Sequence, residues 1–413
     1  MLNVKNCDFL FLIEHEDREA NPVRLICDNL AKLGYDCIIL SLEFHVHKLA
    51  NINPKAVVVP YAFNSEQWPL NYLTVLYRLD TVWFSLSWEQ LLTPINMHYK
   101  KPCDIFVRET MYHLAWADNF KKFLTDNKVL EGQVTVIGNV AHEILEIQSL
   151  DPAAVKGELA KEYGLSNDST WVFMPMNYAW AFSTDATIEA KIAKGYDDIN
   201  AWKYRDYAKA CINKFTQFIT EFSLANPSMN FIVRPHPSIS VEQYKQVFIN
   251  NKLPVPSNVI FSKNHTIREW IVASDIVGSS WSSSVWDAVQ SGKKGFLYTP
   301  LPKPDWHKVW WEEKVCNVTQ YKELDLSALV VQATELSSKG VAVNTAKWMS
   351  EKIKKGKVTK PRIRRTITVS NIVLRRIRSF LRCYSMEYLG GIGVSKGLQR
   401  DYLEPIHYSI RND

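Results

Sequence analysis

Short apolar runs alternate along this chain with longer amphipathic stretches. Asp8 to Ile13 reads as a buried strand, and Glu14-His-Glu-Asp-Arg-Glu19 follows as a polar loop. From Pro22 to Leu33, apolar residues stand at Val23, Ile26, Leu30 and Leu33, the spacing of one helix face, and Gly34 stops the helix. Cys37–Leu40 and Ala56–Pro60 give two more strands. Thr81–Phe84, Asp104–Val107 and Val134–Ile137 continue the series, and Gly138 closes it. Strand, helix and strand joined by short loops imply a parallel sheet with right-handed crossovers.

The second half repeats this logic. The spacing predicts helices over Pro152–Tyr163, Trp202–Ala225 and Thr266–Ala273. Strands are predicted at Thr170–Met174, Asn230–Val233, Val259–Phe261, Asp275–Val277 and Gly295–Tyr298. A further helix opens in Ser279–Ser284 and runs to about Ser291. The expected fold class is α/β, with two Rossmann-like doubly wound lobes facing a central cleft and a basic helical C-terminal tail. The expected domains are 1–150, an acceptor and sugar lobe; 151–345, a nucleotide lobe; and 346–413, the tail. The linker is placed near residues 140–165.

Composition narrows the class. Hydrophobic residues make up 46% and charged residues 22%, which excludes a disordered chain. The seven cysteines form no CxxC pair, which argues against a disulfide framework or zinc cluster and fits a reducing cytoplasm. No secretory signal and no apolar stretch of ~18 residues is present, so a chain without a membrane span is expected. The net charge of +6 is unevenly spread. Lys352 to Arg382 holds 12 Lys or Arg and no acid, leaving 37 basic against 43 acidic residues elsewhere. Within this run Ile372, Val373, Ile377, Phe380 and Leu381 alternate with Arg375, Arg376, Arg378 and Arg382. That pattern suits the anionic surface of an inner membrane better than nucleic acid, because the body is acidic and has no nucleic-acid motif.

Polar motifs fall at the carboxyl ends of the expected strands, where ligands bind in such sheets. Arg234-Pro-His-Pro237 ends one strand: Arg234 offers a fork of donors for phosphate, and His236 can donate to a phosphate oxygen or assist a leaving group. Gly278-Ser-Ser-Trp-Ser-Ser-Ser284 lies between a strand and a helix, so Ser279, Ser280, Ser282, Ser283 and Ser284 can cradle a phosphate at the helix start. Plain N-capping explains the same serines. Asp287, one turn on, suits a ribose hydroxyl or the helix dipole, and His265 either lines the nucleotide site or lies on the surface. In the first half, Glu14, His15 and Arg18 suit acceptor binding or proton transfer. Glu89, Asn177 and Trp180 suit a sugar, although each also suits packing.

Arg234-Pro-His-Pro237 and Ser279–Ser284, with Ala273-Ser-Asp-Ile276 between them, resemble the C-terminal lobe of GT-B glycosyltransferases. More narrowly they resemble the His-Pro and Ser-Ser motifs of bacterial transferases that use CMP-activated acidic sugars. Ile13-Glu-His-Glu-Asp-Arg-Glu19, Trp88-Glu-Gln90, Asn177-Tyr-Ala-Trp-Ala-Phe182 and Ile267-Arg-Glu-Trp270 extend the likeness to the retaining β-Kdo transferase module of lipopolysaccharide synthesis. The resemblance implies transfer of Kdo or a related acidic sugar from a CMP-activated donor to a glycan or glycolipid acceptor. It implies no cofactor and no metal, because helix dipole and side chains stabilise the leaving phosphate. It also implies an enzyme carboxylate that holds the sugar; Asp185, Asp206 and Glu14 are candidates, unplaced by motif. Two alternatives remain: a CDP-glycerol-type polyol-phosphate transferase, as in teichoic acid enzymes, with His265 as its second histidine, and a non-catalytic membrane-associated assembly protein. A UDP-sugar epimerase shares the two-lobe shape, but glycine is sparse around the serine loop.

Overall fold

The computed structural model describes residues 4–77, 81–90, 92–93, 97–193, 195–309, 311–329, 339–355 and 367–408. The chain forms two units, one of residues 1–91, 100–144 and 338–413, the other of residues 92–99 and 145–337.

The first unit is built on seven strands: β1 (Lys5–Ile13), β2 (Cys37–Ser41), β3 (Ile52–Val59), β4 (Val82–Ser85), β5 (Met111–Ala115), β6 (Val134–Val136) and β13 (Ile406–Tyr408). Their order is β13-β2-β1-β3-β4-β5-β6, all parallel except β13, which pairs antiparallel with β2. Alternate residues of β1 enter two cores. Phe9, Phe11 and Ile13 pack on one face with Phe84 and Val58, while Leu10 and Leu12 pack on the other with Val57, Val59 and Trp83. Both faces are therefore covered, and β1 reads as an unbroken apolar run. Each such side chain taken out of water contributes roughly 1.5–3 kcal/mol.

Helix α1 (Glu16–Lys32) lays Val23, Ile26 and Leu30 on the first face, as their spacing predicts. It starts earlier than expected. The acids of the anticipated loop form its first turn, where Glu16, Asp17 and Glu19 favour the helix dipole, and the Glu19 carboxylate accepts the Glu14 N–H at 2.9 Å. Pro22 thus lies inside the helix rather than opening it. The strand expected at Asp104–Val107 is likewise replaced by a π-helical turn, Phe106–Thr110. Asp104 nucleates that turn by accepting the N–H groups of Val107 (3.1 Å) and Ser65 (2.6 Å). Three apolar residues in a row do not distinguish strand from helix, and a side-chain cap decided the matter here.

The second unit has six parallel strands in the order β12-β11-β10-β7-β8-β9. They are β7 (Trp171–Pro175), β8 (Asn230–Arg234), β9 (Val259–Phe261), β10 (Ile276–Ser279), β11 (Lys294–Tyr298) and β12 (Cys316–Val318). Helices α2 (Pro152–Tyr163), α3 (Asp198–Ala225), α4 (Ile267–Ala273) and α5 (Ser283–Gln290) connect and cover them. The strand order reverses between β7 and β10, which makes that gap the topological switch point.

After the second unit the chain returns to the first. Helix α6 (Val341–Lys355) buries Ala342, Ala346, Trp348 and Met349 in the core that α1 also fills. Helix α7 (Val369–Tyr388) follows, then β13. A unit boundary falls at residues 144/145, and residues 338–413, which include the 346–413 expected as a separate tail, cluster with the first unit. Lys357, Lys360, Arg362, Arg364 and Arg365 of the basic run lie outside the described residues. Among the described residues, no helix is long and apolar enough to cross a membrane.

Candidate functional site

In the second unit, the loops at the carboxyl ends of β7, β8 and β10 are tied together. Ser279 Oγ donates to the Pro175 carbonyl at 2.5 Å, and Trp281 Nε1 donates to the Asn177 carbonyl at 3.0 Å. The hydroxyls of Tyr178 and Ser280 share a short hydrogen bond. Met176 N–H donates to the Arg234 carbonyl at 2.9 Å, which attaches the end of β8 to the same edge. His236 and the serine loop therefore lie on one edge of the sheet, two strands apart, or about 10 Å by ordinary strand spacing.

The serines divide by role. Ser279 and Ser280 are buried, with their hydroxyls spent on holding the loop. Ser282 is the N-cap of α5, accepting the Ser284 N–H at 3.3 Å and donating to Ser284 Oγ at 3.1 Å. Ser282 and Ser283 are half-buried at the helix start, where backbone N–H groups and the dipole favour an anion. Asp287 lies half-buried further along α5.

His236 is also half-buried, and its Nδ1 accepts the Ser238 N–H at 3.2 Å, with Ser238 Oγ at 2.8 Å. Occupation of Nδ1 as an acceptor leaves the neutral ring's proton on Nε2, the tautomer that donates from that nitrogen. Arg234 is placed differently from the sequence-based expectation. It is 5% exposed, and its Nη1 donates to the Asn264 carbonyl at 2.7 Å, so it braces the loop after β9. That loop carries His265, in the left-handed region at φ +62°, with Nε2 2.7 Å from Glu162 and Nδ1 3.6 Å from Glu269. Trp180 is half-buried, its ring under Lys191 at 4.5 Å and against Tyr204 at 4.8 Å; Asn177, three residues before it, is half-buried too. Asp185 and Asp206 are exposed and both pair with Arg205.

Sequence reasoning missed an aromatic cluster beneath this edge. His307 is 6% exposed, within 4.6 Å of the Tyr204 ring and 5.1 Å of the Trp281 ring. Burial drives its pKa down to about 3, so it stays neutral. Nothing local marks His307, because it joins Trp281 only through the fold. A separate cavity of about 520 Å³, lined by Thr170, Met229, Asp275 and Lys293 among others, opens at the amino ends of the strands, away from these motifs.

The first unit gathers a charged cluster at its own switch point, between β1 and β3, where the strand order reverses. Arg18 binds the fully buried Glu19 at 2.6 Å and Glu89 at 2.5 Å, and Lys100 lies 3.7 Å from Glu89. Glu14 lies 3.5 Å from the Tyr61 hydroxyl and 3.7 Å from His15 Nε2. His15 Nδ1 is 3.3 Å from the Asp401 carboxylate. Burial raises the Glu14 pKa, partly offset by His15 and Arg18. Burial opposes the His15 cation, yet the hydrogen bond to Asp401 and the nearby carboxylates raise its pKa overall. Burial likewise raises Glu19 and lowers Lys100, whereas for Glu89 the cations of Arg18 and Lys100 outweigh burial and lower it. The sequence pointed to Glu14, His15, Arg18 and Glu89; it gave no sign of Asp401, which arrives from the far end of the chain. Gln90 is structural, bridging the Leu114 carbonyl (2.9 Å) and the Trp116 N–H (2.8 Å).

Two parallel-sheet Rossmann-like units with polar switch points define an α/β protein of the GT-B type. No family model and no curated protein matches the chain. Solved structures do. The wall teichoic acid polymerase TagF, in a variant soaked with CDPG, is 11% identical, covers 86% of this chain and 90% of its own, and superposes with a TM-score of 0.55. UDP-GlcNAc 2-epimerase from Neisseria meningitidis bound to UDP-GlcNAc is 10% identical over 85% of this chain and 100% of its own, with a TM-score of 0.52. The Methanocaldococcus jannaschii UDP-GlcNAc 2-epimerase, in complex with UDP-GlcNAc and UDP, is 10% identical over 84% and 99%, with a TM-score of 0.51. At these identities the likeness is one of fold.

Proposed function

We propose that this chain transfers a sugar, Kdo or a related acidic sugar, from a CMP-activated donor to a surface glycan or glycolipid held at a membrane. The observation that carries the reading is that the Ser282–Ser283 helix start and the His236 loop both lie at the carboxyl edge of the second unit's sheet, on strands β10 and β8 that flank β7. The second unit would hold the donor. Cleavage of the bond between the anomeric carbon and the phosphate oxygen leaves its electron pair on CMP. The N–H groups at the start of α5 and the Nε2–H of His236 stabilise that oxyanion. In this reading those donors, and not a metal, stabilise the leaving charge. The first unit would hold the acceptor, whose hydroxyl oxygen forms the new bond to the anomeric carbon as its proton passes to His15, oriented by Asp401, or to Glu14. The raised pKa of Glu14 suits proton transfer better than nucleophilic attack. Asp185 and Asp206 remain candidates for a sugar-bearing carboxylate, but Arg205 neutralises both.

A second reading is polyol-phosphate transfer from CDP-glycerol. It is supported by His265, which the Arg234–Asn264 bond links to the strand end that carries His236, and by the fold shared with TagF, whose crystals were soaked with CDPG. Nucleotide release from CMP-Kdo, CMP-sialic acid, CDP-glycerol and UDP-sugars separates the two readings. His236→Ala should abolish release while leaving the melting temperature unchanged; full turnover in this variant would remove His236 from the mechanism. If no cytidine nucleotide binds in calorimetry, the reading as a non-catalytic assembly protein moves ahead of both.

A further inference from the structure

Most amphipathic helices of a globular unit turn their apolar face inward, as α1 does. Helix α7 is reversed. Its polar residues face the protein: Ser379 is 2% exposed and bonded to His47 Nδ1 at 3.1 Å, Arg382 pairs with Glu43, and the Arg375 guanidinium lies 4.1 Å over the Trp68 ring. Apart from Ile372, which packs against the core, and half-buried Met386, its large apolar residues face solvent. Val373, Leu374, Ile377, Phe380, Leu381 and Tyr384 are each between 45% and 58% exposed. At 3.6 residues per turn they cover one arc of about 120°. Such a contiguous stripe is unfavourable in water and marks a docking surface.

The charge around the stripe indicates what covers it. Arg378 is exposed at its edge, and the sequence leading into and through α7, Lys352 to Arg382, carries 12 cations and no acid, of which Arg375 and Arg382 engage the protein. A second copy would bring an equal run of cations against the first, and nucleic acid would leave the stripe in water. An anionic bilayer satisfies both features, with apolar side chains among the acyl chains and cations at the headgroups.

We infer that α7 is an interfacial anchor that lies in the plane of an anionic lipid surface, with Ile377, Phe380 and Leu381 at the centre of its buried face. This rests on the reading above that the chain acts at a membrane, and it names the element responsible. The same tail supplies Asp401 to His15, so the anchored segment belongs to the unit assigned to the acceptor.

The test is co-sedimentation of the full chain with vesicles of phosphatidylcholine alone or mixed with phosphatidylglycerol. The variant Ile377→Glu/Phe380→Glu/Leu381→Glu alters only exposed positions. The expected result is binding to the mixed vesicles that weakens about tenfold or more in the variant, with unchanged melting. Three results overturn the inference: no binding to mixed vesicles, binding that the variant retains, or self-association of the native chain that the variant abolishes. CMP titration of the same samples keeps the two readings apart. Loss of nucleotide binding alone would sink the transferase and leave the anchor standing.

Discussion

Gly278 lies opposite Phe296 in the β10–β11 pairing, immediately before the serine loop. Its φ lies outside the left-handed region, so backbone freedom does not require glycine there; space does. A Cβ on residue 278 would sit 2.2 Å from Phe296 Cζ and 2.4 Å from Cε1, far inside the ~3.5–4.0 Å of an ordinary carbon contact. The ring cannot easily withdraw, being fully buried with Phe218 and Phe222 behind it at 6.3 and 6.4 Å. Gly278→Ala should therefore destabilise the second unit by about 2 kcal/mol, within the ~1–3 kcal/mol range of overpacked cores. For a unit of this size that lowers the melting temperature by roughly 4–8 °C. Because Ser279 follows directly, CMP affinity should fall as well. Phe296→Leu alone should cost about 1–2 kcal/mol by leaving a void. In the double variant the new methyl occupies that void, so the two changes should couple by about 1 kcal/mol or more. The assay is a denaturant double-mutant cycle. Additivity within ~0.5 kcal/mol, or an unchanged Gly278→Ala midpoint, would refute the steric argument.

Two other outcomes follow from the charged and buried groups. His113 is fully buried and donates from Nε2 to the Val107 carbonyl at 2.7 Å, and burial lowers its pKa from 6.5 to about 4. The unfolded chain takes up the proton first as pH falls, so this contribution to stability is complete above pH 6.5 and lost down to about pH 4, a loss of about 3 kcal/mol. His113→Gln should flatten the acid limb of a stability–pH curve, and an unaltered slope would contradict it. Asp401→Asn removes the carboxylate that helps raise the His15 pKa. It should lower kcat and move the acid limb of the pH–rate profile to lower pH; a purely structural Asp401 would change kcat or stability without moving that limb.

The alternation of apolar strands and 3.6-period helices determined the α/β class, because burial on both faces of a parallel sheet leaves a local signature in every strand. It also placed the Arg234–Pro237 and Ser279–Ser284 motifs at strand ends, since a strand followed by small polar residues and a helix is a local pattern. The sequence erred where local side chains outweighed propensity: the Asp104 carboxylate capped a helical turn, and the first-turn acids of α1 favoured its dipole. Tertiary structure alone decided the rest. Spending the Arg234 guanidinium on Asn264, the Ser280 hydroxyl on Tyr178 and the Asp401 carboxylate on His15 are contacts between residues far apart in the chain. The outward turn of the apolar face of α7 is of the same kind. Helical periodicity shows that two faces differ, but which one meets the protein depends on Glu43, His47 and Trp68, brought to it by the fold.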